Sequence, residues 1–180
     1  MRYRRAKAKG GTFFFTVVTH QRISLLTEPE HAKLLRLSIK YVMDKHPFKI
    51  DAFVLLPDHL HCIWTLPDGD DDYSTRWRLI KGTFTRQCDD QYKRGATQSR
   101  ILKKERVIWQ RRFWEHQIAD DNDFKNHVNY IHYNPVKHQY ADSPKNWIYS
   151  SFHKYVRNGT YNNNWGNGQN MEFNDCAGHE

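Results

Sequence analysis

The chain has 180 residues, with 28 Lys and Arg against 20 Asp and Glu, for a formal net charge of +8 at pH 7. That length is one domain with room for a real core, and the basic balance suits a protein that meets polyanions. Three cysteines at wide, unpatterned positions (62, 88 and 176) exclude a disulfide framework and a zinc knuckle. No apolar stretch approaches the roughly 20 residues needed to span a bilayer, and the basic start runs into an aromatic strand and not into a signal-type apolar region. A reducing cytoplasm is the expected compartment.

Arg2, Arg4, Arg5, Lys7 and Lys9 form a basic arm, expected to be flexible until it meets a partner. Thr12 to Thr19 reads as a strand in which Phe13 to Phe15 fill the core. Glu30 to Lys45 is helical, with Leu34, Leu35, Ile39, Val42 and Met43 on its apolar face. Ile50 to Leu66 reads as two strands broken at Pro57-Asp58, because Pro and Asp favour a turn and β-branched and aromatic residues crowd both sides. An acidic turn, Gly69 to Asp72, leads into a helix from about Ser74 to Gln91 whose basic face carries Arg76, Lys81 and Arg86. Tyr92 to Arg106 is polar and aperiodic, a loop. Trp109 to Ala119 holds a last strand. Asn122 to Lys137 is a helix with apolar residues at 124, 128 and 131 and capping carboxylates from Asp120 to Asp123, ending near Pro135. From Asn158 onward the chain is rich in Asn and Gly and is expected to be a poorly ordered polar tail on a domain spanning 1–157. The order β-α-β-β-α-β is the ferredoxin-like split βαβ pattern, an antiparallel α+β sheet covered by helices.

Two segments carry chemistry. In Leu56-Pro57-Asp58-His59-Leu60-His61-Cys62-Ile63-Trp64, strand alternation puts His59 and His61 on one face, about 7 Å apart. They are either two ligands of one divalent metal or a hydrogen-bonded pair on a half-polar strand; Leu60, Cys62 and Trp64 point the other way, which removes Cys62 as a third ligand. On the last helix, His127, Tyr130 and Asn134 line one flank, and Tyr130 and Asn134, one turn apart, can meet at one point. This is either a nucleophile beside a metal or a tyrosine packed at the core edge. Arg beside aromatic residues, as in Arg76-Trp77-Arg78 and Arg111-Arg112-Phe113-Trp114, suits phosphate contact and stacking on unpaired bases.

Together these segments resemble a known family. His59-Leu60-His61 matches the His-hydrophobic-His motif of HUH endonucleases, and Asn129 to Lys137 is similar to the tyrosine helix of single-tyrosine transposases. Gly10 to Val17, Trp64 to Asp70, Ile108 to His116 and Trp147 to His153 resemble, in the same order, the REP-associated tyrosine transposases of bacteria, with the likeness running from about residue 3 to 165. The resemblance implies the HUH fold, Tyr130 as nucleophile with Tyr133 the next candidate, and His59, His61 and Asn134 as ligands of Mg2+ or Mn2+. Asn134 stands where the family often has Gln, one methylene longer. It also implies a metal-dependent endonuclease and strand transferase that cuts single-stranded DNA beside the hairpin of a repetitive extragenic palindrome through a 5′-phosphotyrosine, as monomer or homodimer, near the bacterial nucleoid and without a membrane. The candidate DNA-binding residues are the five of the basic arm with Arg76, Lys81, Arg111 and Arg112. Two other readings stay open: a non-catalytic ferredoxin-like nucleic-acid-binding module, and a hydrolytic metal nuclease using His59, His61 and an acidic ligand such as Asp58.

Overall fold

Residues 12–18, 49–55, 59–65 and 114–117 build one sheet in the order β2-β3-β1-β4, every pairing antiparallel. In this computed structural model of the chain, residues 10–93, 108–168, 171 and 173 are described. The strands are β1 (Thr12–Val18), β2 (Lys49–Leu55), β3 (His59–Thr65) and β4 (Trp114–Gln117), and the helices are α1 (Pro29–Lys45), α2 (Tyr73–Gln87), α3 (Asp121–Lys137) and α4 (Phe152–Arg157). This is the split βαβ architecture that the order of elements predicts.

Alternation along the strands divides the molecule into two apolar layers. Phe13, Phe15 and Val17 of β1 and Leu60, Cys62 and Trp64 of β3 pack under α1 and α2, joined by Leu35, Ile39, Val42, Trp77, Ile80 and Phe84. Phe14 and Ile63 point to the opposite face, where Val128, Tyr130 and Ile131 of α3 and Phe152 of α4 cover them. His59 and His61 share the parity of Ile63, so the register carries both imidazoles under α3. The outer edge of β2 is closed by residues 147–151: the Trp147 indole N–H donates to the Leu55 carbonyl (2.9 Å) and the Ser151 N–H to the Phe53 carbonyl (2.9 Å). Covering an edge in this way removes a template for unwanted strand pairing. Among the described residues no helix is long and apolar enough to cross a membrane.

Three sequence expectations need correction. Pro135 does not end its helix, which runs on to Lys137. A proline removes one rung of the hydrogen-bond ladder, and here that rung falls in the last turn, where the ladder is already closing. The stretch after Asn158 is not loose over its described part: Tyr161 is buried and stacks on Trp165 (4.3 Å), Phe152 (5.6 Å) and Tyr155 (5.7 Å). Its phenol donates to Asn129 Oδ1 at 2.6 Å. The Asn- and Gly-rich composition conceals these aromatic anchors.

The third correction concerns α2. Arg76 is only 3% exposed; it grips Asp70 with both terminal nitrogens (3.1 and 2.6 Å) and donates to the carbonyls of His46, Pro47 and Asp72. Lys81, 4% exposed, donates to the Gln110 carbonyl at 3.0 Å and lies 5.4 Å from the Phe113 ring. Both flank the apolar stripe of Trp77, Ile80 and Phe84, and distant segments close over them. Both are buried and bonded to other segments of the chain, which is not the exposed basic face that the sequence suggested.

Candidate active site

Leu56, Pro57 and Asp58 form the turn that delivers β3 to the sheet, and Asp58 is the first residue of the site. Its Oδ1 lies 2.6 Å from Nδ1 of His59, and its Oδ2 accepts from Arg22 Nη1 at 3.0 Å. The Thr19 hydroxyl donates to the Asp58 carbonyl, and the Thr19 N–H does the same, each within 2.9 Å. Burial alone would raise the Asp58 carboxyl, but hydrogen bonding and charge from His59 and Arg22 outweigh it and hold the group below the usual carboxylate range.

With Nδ1 engaged by Asp58, His59 directs Nε2 inward, where it is buried and has no hydrogen-bond partner. His61 is oriented from the neighbouring strand: Thr16 pairs with it across the β1–β3 ladder, and Thr16 Oγ1 lies 2.9 Å from His61 Nδ1. The two imidazoles are 4.9 Å apart, nearly perpendicular. Holding Nδ1 with an oxygen group and keeping Nε2 available is the usual arrangement of metal-binding histidines. An orphaned imidazole nitrogen in a buried site therefore fits a divalent ion held by His59 and His61.

From above, α3 supplies the rest. Its start is capped as its sequence suggests, with Asp120 Oδ1 accepting from the Asp123 N–H at 2.9 Å. Two turns on, the Tyr130 ring lies 5.2 Å from the His61 ring, edge to face. Asn134, one turn further along the same flank, is fully buried. Lys137, two turns from Tyr130, reaches back so that Nζ donates to the Tyr130 phenol oxygen at 3.2 Å and stands 4.8 Å over its ring. His138, just after the helix, brings its ring to 5.2 Å from that of His59. Tyr130 is 1% exposed, with the Phe173 ring 5.5 Å away.

His59, His61, Tyr130 and Asn134 thus come from a strand and a helix that meet in one layer. His127 lies a turn before Tyr130 but turns Nδ1 toward Asp123. Arg111 and Arg112 are exposed in the segment leading to β4, whereas Arg76 and Lys81 belong to the fold. The arm residues Arg2, Arg4, Arg5, Lys7 and Lys9 lie outside the described residues. Sequence reasoning missed Thr16, Arg22 and Lys137 as members of the site. Lys137 had a signal, since seven helical residues return almost to the same face; Thr16 had none, because strand register is not written locally.

A strand pair of histidines facing a helical tyrosine, on a split βαβ sheet, defines an enzyme of the single-tyrosine HUH class. A family model described as "Transposase IS200 like" matches residues 9–134. The chain is 46% identical over 163 residues to the REP-associated tyrosine transposase of Escherichia coli K12, covering 91% of this chain and 89% of that protein. A relative from Haemophilus influenzae is 42% identical over 172 residues, covering 95% and 96%. A solved structure of a REP-associated tyrosine transposase bound to a REP hairpin superposes with a TM-score of 0.81 at 42% identity, covering 100% of this chain and 98% of that one. The chain belongs to the IS200-like transposases and, among them, to the REP-associated tyrosine transposases.

Proposed function

We propose that the protein nicks and rejoins single-stranded DNA beside the hairpin of a repetitive extragenic palindrome, with Tyr130 as the nucleophile. The observation that carries this reading is the approach of Tyr130 to His61 within 5.2 Å, in a layer where His59 keeps a buried, unpartnered nitrogen. The Tyr130 oxygen attacks phosphorus, the bond from phosphorus to the 3′-oxygen breaks, and the phenolic proton ends, directly or through water, on the departing 3′-hydroxyl. The product is a 5′-phosphotyrosine that retains the bond energy for rejoining without ATP. Lys137 holds the phenol oxygen of the nucleophile by a hydrogen bond, and Asp58 and Thr16 hold the two imidazoles in the orientation they need.

His59, His61 and Asn134 are the residues that would hold Mg2+ or Mn2+. Bound there, the ion would supply Lewis-acid polarisation of the non-bridging phosphate oxygens. Two imidazoles favour Mn2+ over Mg2+, which prefers oxygen ligands. Of the candidate DNA-binding residues, Arg111 and Arg112 are the described ones exposed to meet the DNA, with the N-terminal arm as a second contact that either grips phosphates or reads base edges. The hydrolytic reading, with Asp58 as a metal ligand, is disfavoured because Asp58 Oδ1 sits 2.6 Å from Nδ1 of His59, on the side of the ring opposite the Nε2 that is left to the ion.

The test is denaturing gel analysis of labelled single-stranded hairpin DNA incubated with protein and Mn2+. A band shifted by covalent attachment is the expected result. Free cut DNA without an adduct would support the hydrolase, and binding without cutting would support a DNA-binding module.

A further inference from the structure

Away from Tyr130's contact with His61, β4 and the first turns of α3 bring together a second set of metal-ligating groups. The Asp123 carboxylate lies between two imidazoles: Oδ2 is 2.8 Å from His116 Nε2 and Oδ1 is 2.9 Å from His127 Nδ1. The rings are nearly parallel, with centroids 4.6 Å apart. One ligand atom from each residue falls within 4.8 Å of the other two. Bonds of about 2.0–2.1 Å in a tetrahedral shell set neighbouring ligand atoms roughly 3.3 Å apart, so an ion is admitted when the two carboxylate contacts lengthen slightly and the widest pair closes.

The surroundings prepare this set. The Ala119 N–H donates to Asp123 Oδ2 at 2.8 Å, which fixes the carboxylate. His116 and Asp123 side chains keep 29% and 20% of their surface, a route in for an ion, whereas His127 is enclosed. Nδ1 of His127 also donates to the Asp123 backbone carbonyl at 2.9 Å, a bond that an ion at this nitrogen replaces, while Nε2 is buried without a hydrogen-bond partner and can take the proton that Nδ1 gives up. Asp123 and His127 are one helical turn apart, and His116 approaches from the strand.

We propose that His116, Asp123 and His127 form a second divalent transition-metal site that ties edge strand β4 to the helix bearing Tyr130. Two imidazoles and one carboxylate select a borderline ion of the Zn2+ type over Mg2+ or Ca2+, which take oxygen. Three protein ligands leave a fourth position for water. No residue is shared with His59, His61 and Asn134, so the site stands or falls independently of the proposed DNA cleavage.

The test titrates Zn2+ alone into metal-stripped protein carrying His59→Ala and His61→Ala, read by calorimetry and by the melting temperature, with visible absorption of Co2+ as a second probe. One equivalent bound, with a melting temperature that rises with metal, is the expected result, and adding His116→Gln removes both. If the double variant does not fold, the wild type replaces it: two equivalents are expected, falling to one with His116→Gln. No stoichiometric uptake at this site, or uptake untouched by His116→Gln, overturns the proposal and leaves the cluster as a hydrogen-bonded bracket.

Discussion

Asp58 Oδ1 and His59 Nδ1 are 2.6 Å apart, a hydrogen bond between consecutive residues at the point where a turn becomes a strand. The pairing spends one imidazole nitrogen on the carboxylate and turns the other toward α3. Arg22 closes the chain of contacts from the far side of Asp58 at 3.0 Å. Asp58→Asn is therefore expected to raise the Mn2+ concentration needed for half-maximal cutting by about 10–100-fold, the usual cost of losing an orienting partner of a metal ligand. Hairpin binding in chelator should stay unchanged. A metal titration of cleavage that superposes on the wild type would remove Asp58 from the site.

Lys137 Nζ donates to the Tyr130 phenol oxygen at 3.2 Å. Replacing it with Met removes that bond and should slow single-turnover cleavage while hairpin affinity in chelator holds. Lys137→Arg should restore part of the wild-type rate. A loss of hairpin affinity that matches the loss of rate would mean that Lys137 contacts only the DNA.

His132 contributes to the pH dependence of folding. Burial, with a smaller contribution from the charge of His153, lowers its pKa from 6.5 to about 3. Its Nε2 lies 2.7 Å from Ser151 Oγ and its Nδ1 3.3 Å from the Tyr161 phenol. Below pH 6.5 the unfolded chain takes up a proton that the folded chain refuses until about pH 3. Stability should thus fall as pH falls through that window, by up to about 1.4 kcal/mol per pH unit for one proton. Denaturant unfolding of wild type against His132→Gln at several pH values should show a shallower slope in the variant; equal slopes would mean the ring is protonated in the fold.

The basic residues should separate into two groups. Arg76→Met breaks a nearly buried ion pair and should cost roughly 3 kcal/mol, the low end for such pairs because Asp70 keeps some solvent. It should leave the salt dependence of hairpin binding as it was. Arg111→Ala and Arg112→Ala should do the reverse: little change in stability, and a salt slope shallower by about 0.7 for each single-strand phosphate that the arginine had neutralised. A salt slope altered by Arg76→Met in folded protein would return α2 to the DNA surface.

What the sequence could reveal followed the reach of local geometry. His59 and His61 on one face follow from strand alternation, and Tyr130 with Asn134 from helical spacing, so their meeting needed only the helix to lie over the sheet. Thr16 could not be read, because its place opposite His61 depends on the register of two strands more than forty residues apart. Lys137 was hidden by the expectation that Pro135 stops the helix, and Arg76 and Lys81 by a view of α2 without the segments that cover it. Tyr161 was concealed in a polar tail, since composition weighs the many Asn and Gly residues and not the one buried ring.

The central claim is that Tyr130 forms the bond to DNA, and mapping that bond tests it most directly. Protein incubated with single-stranded hairpin DNA and Mn2+ is digested with nuclease and protease, and the peptide that retains a nucleotide is sequenced by mass spectrometry. The expected result is a 5′-phosphonucleotide on Tyr130, absent from Tyr130→Phe, which still binds the hairpin. A nucleotide on Tyr133, or cleavage by Tyr130→Phe at the wild-type rate, would contradict it.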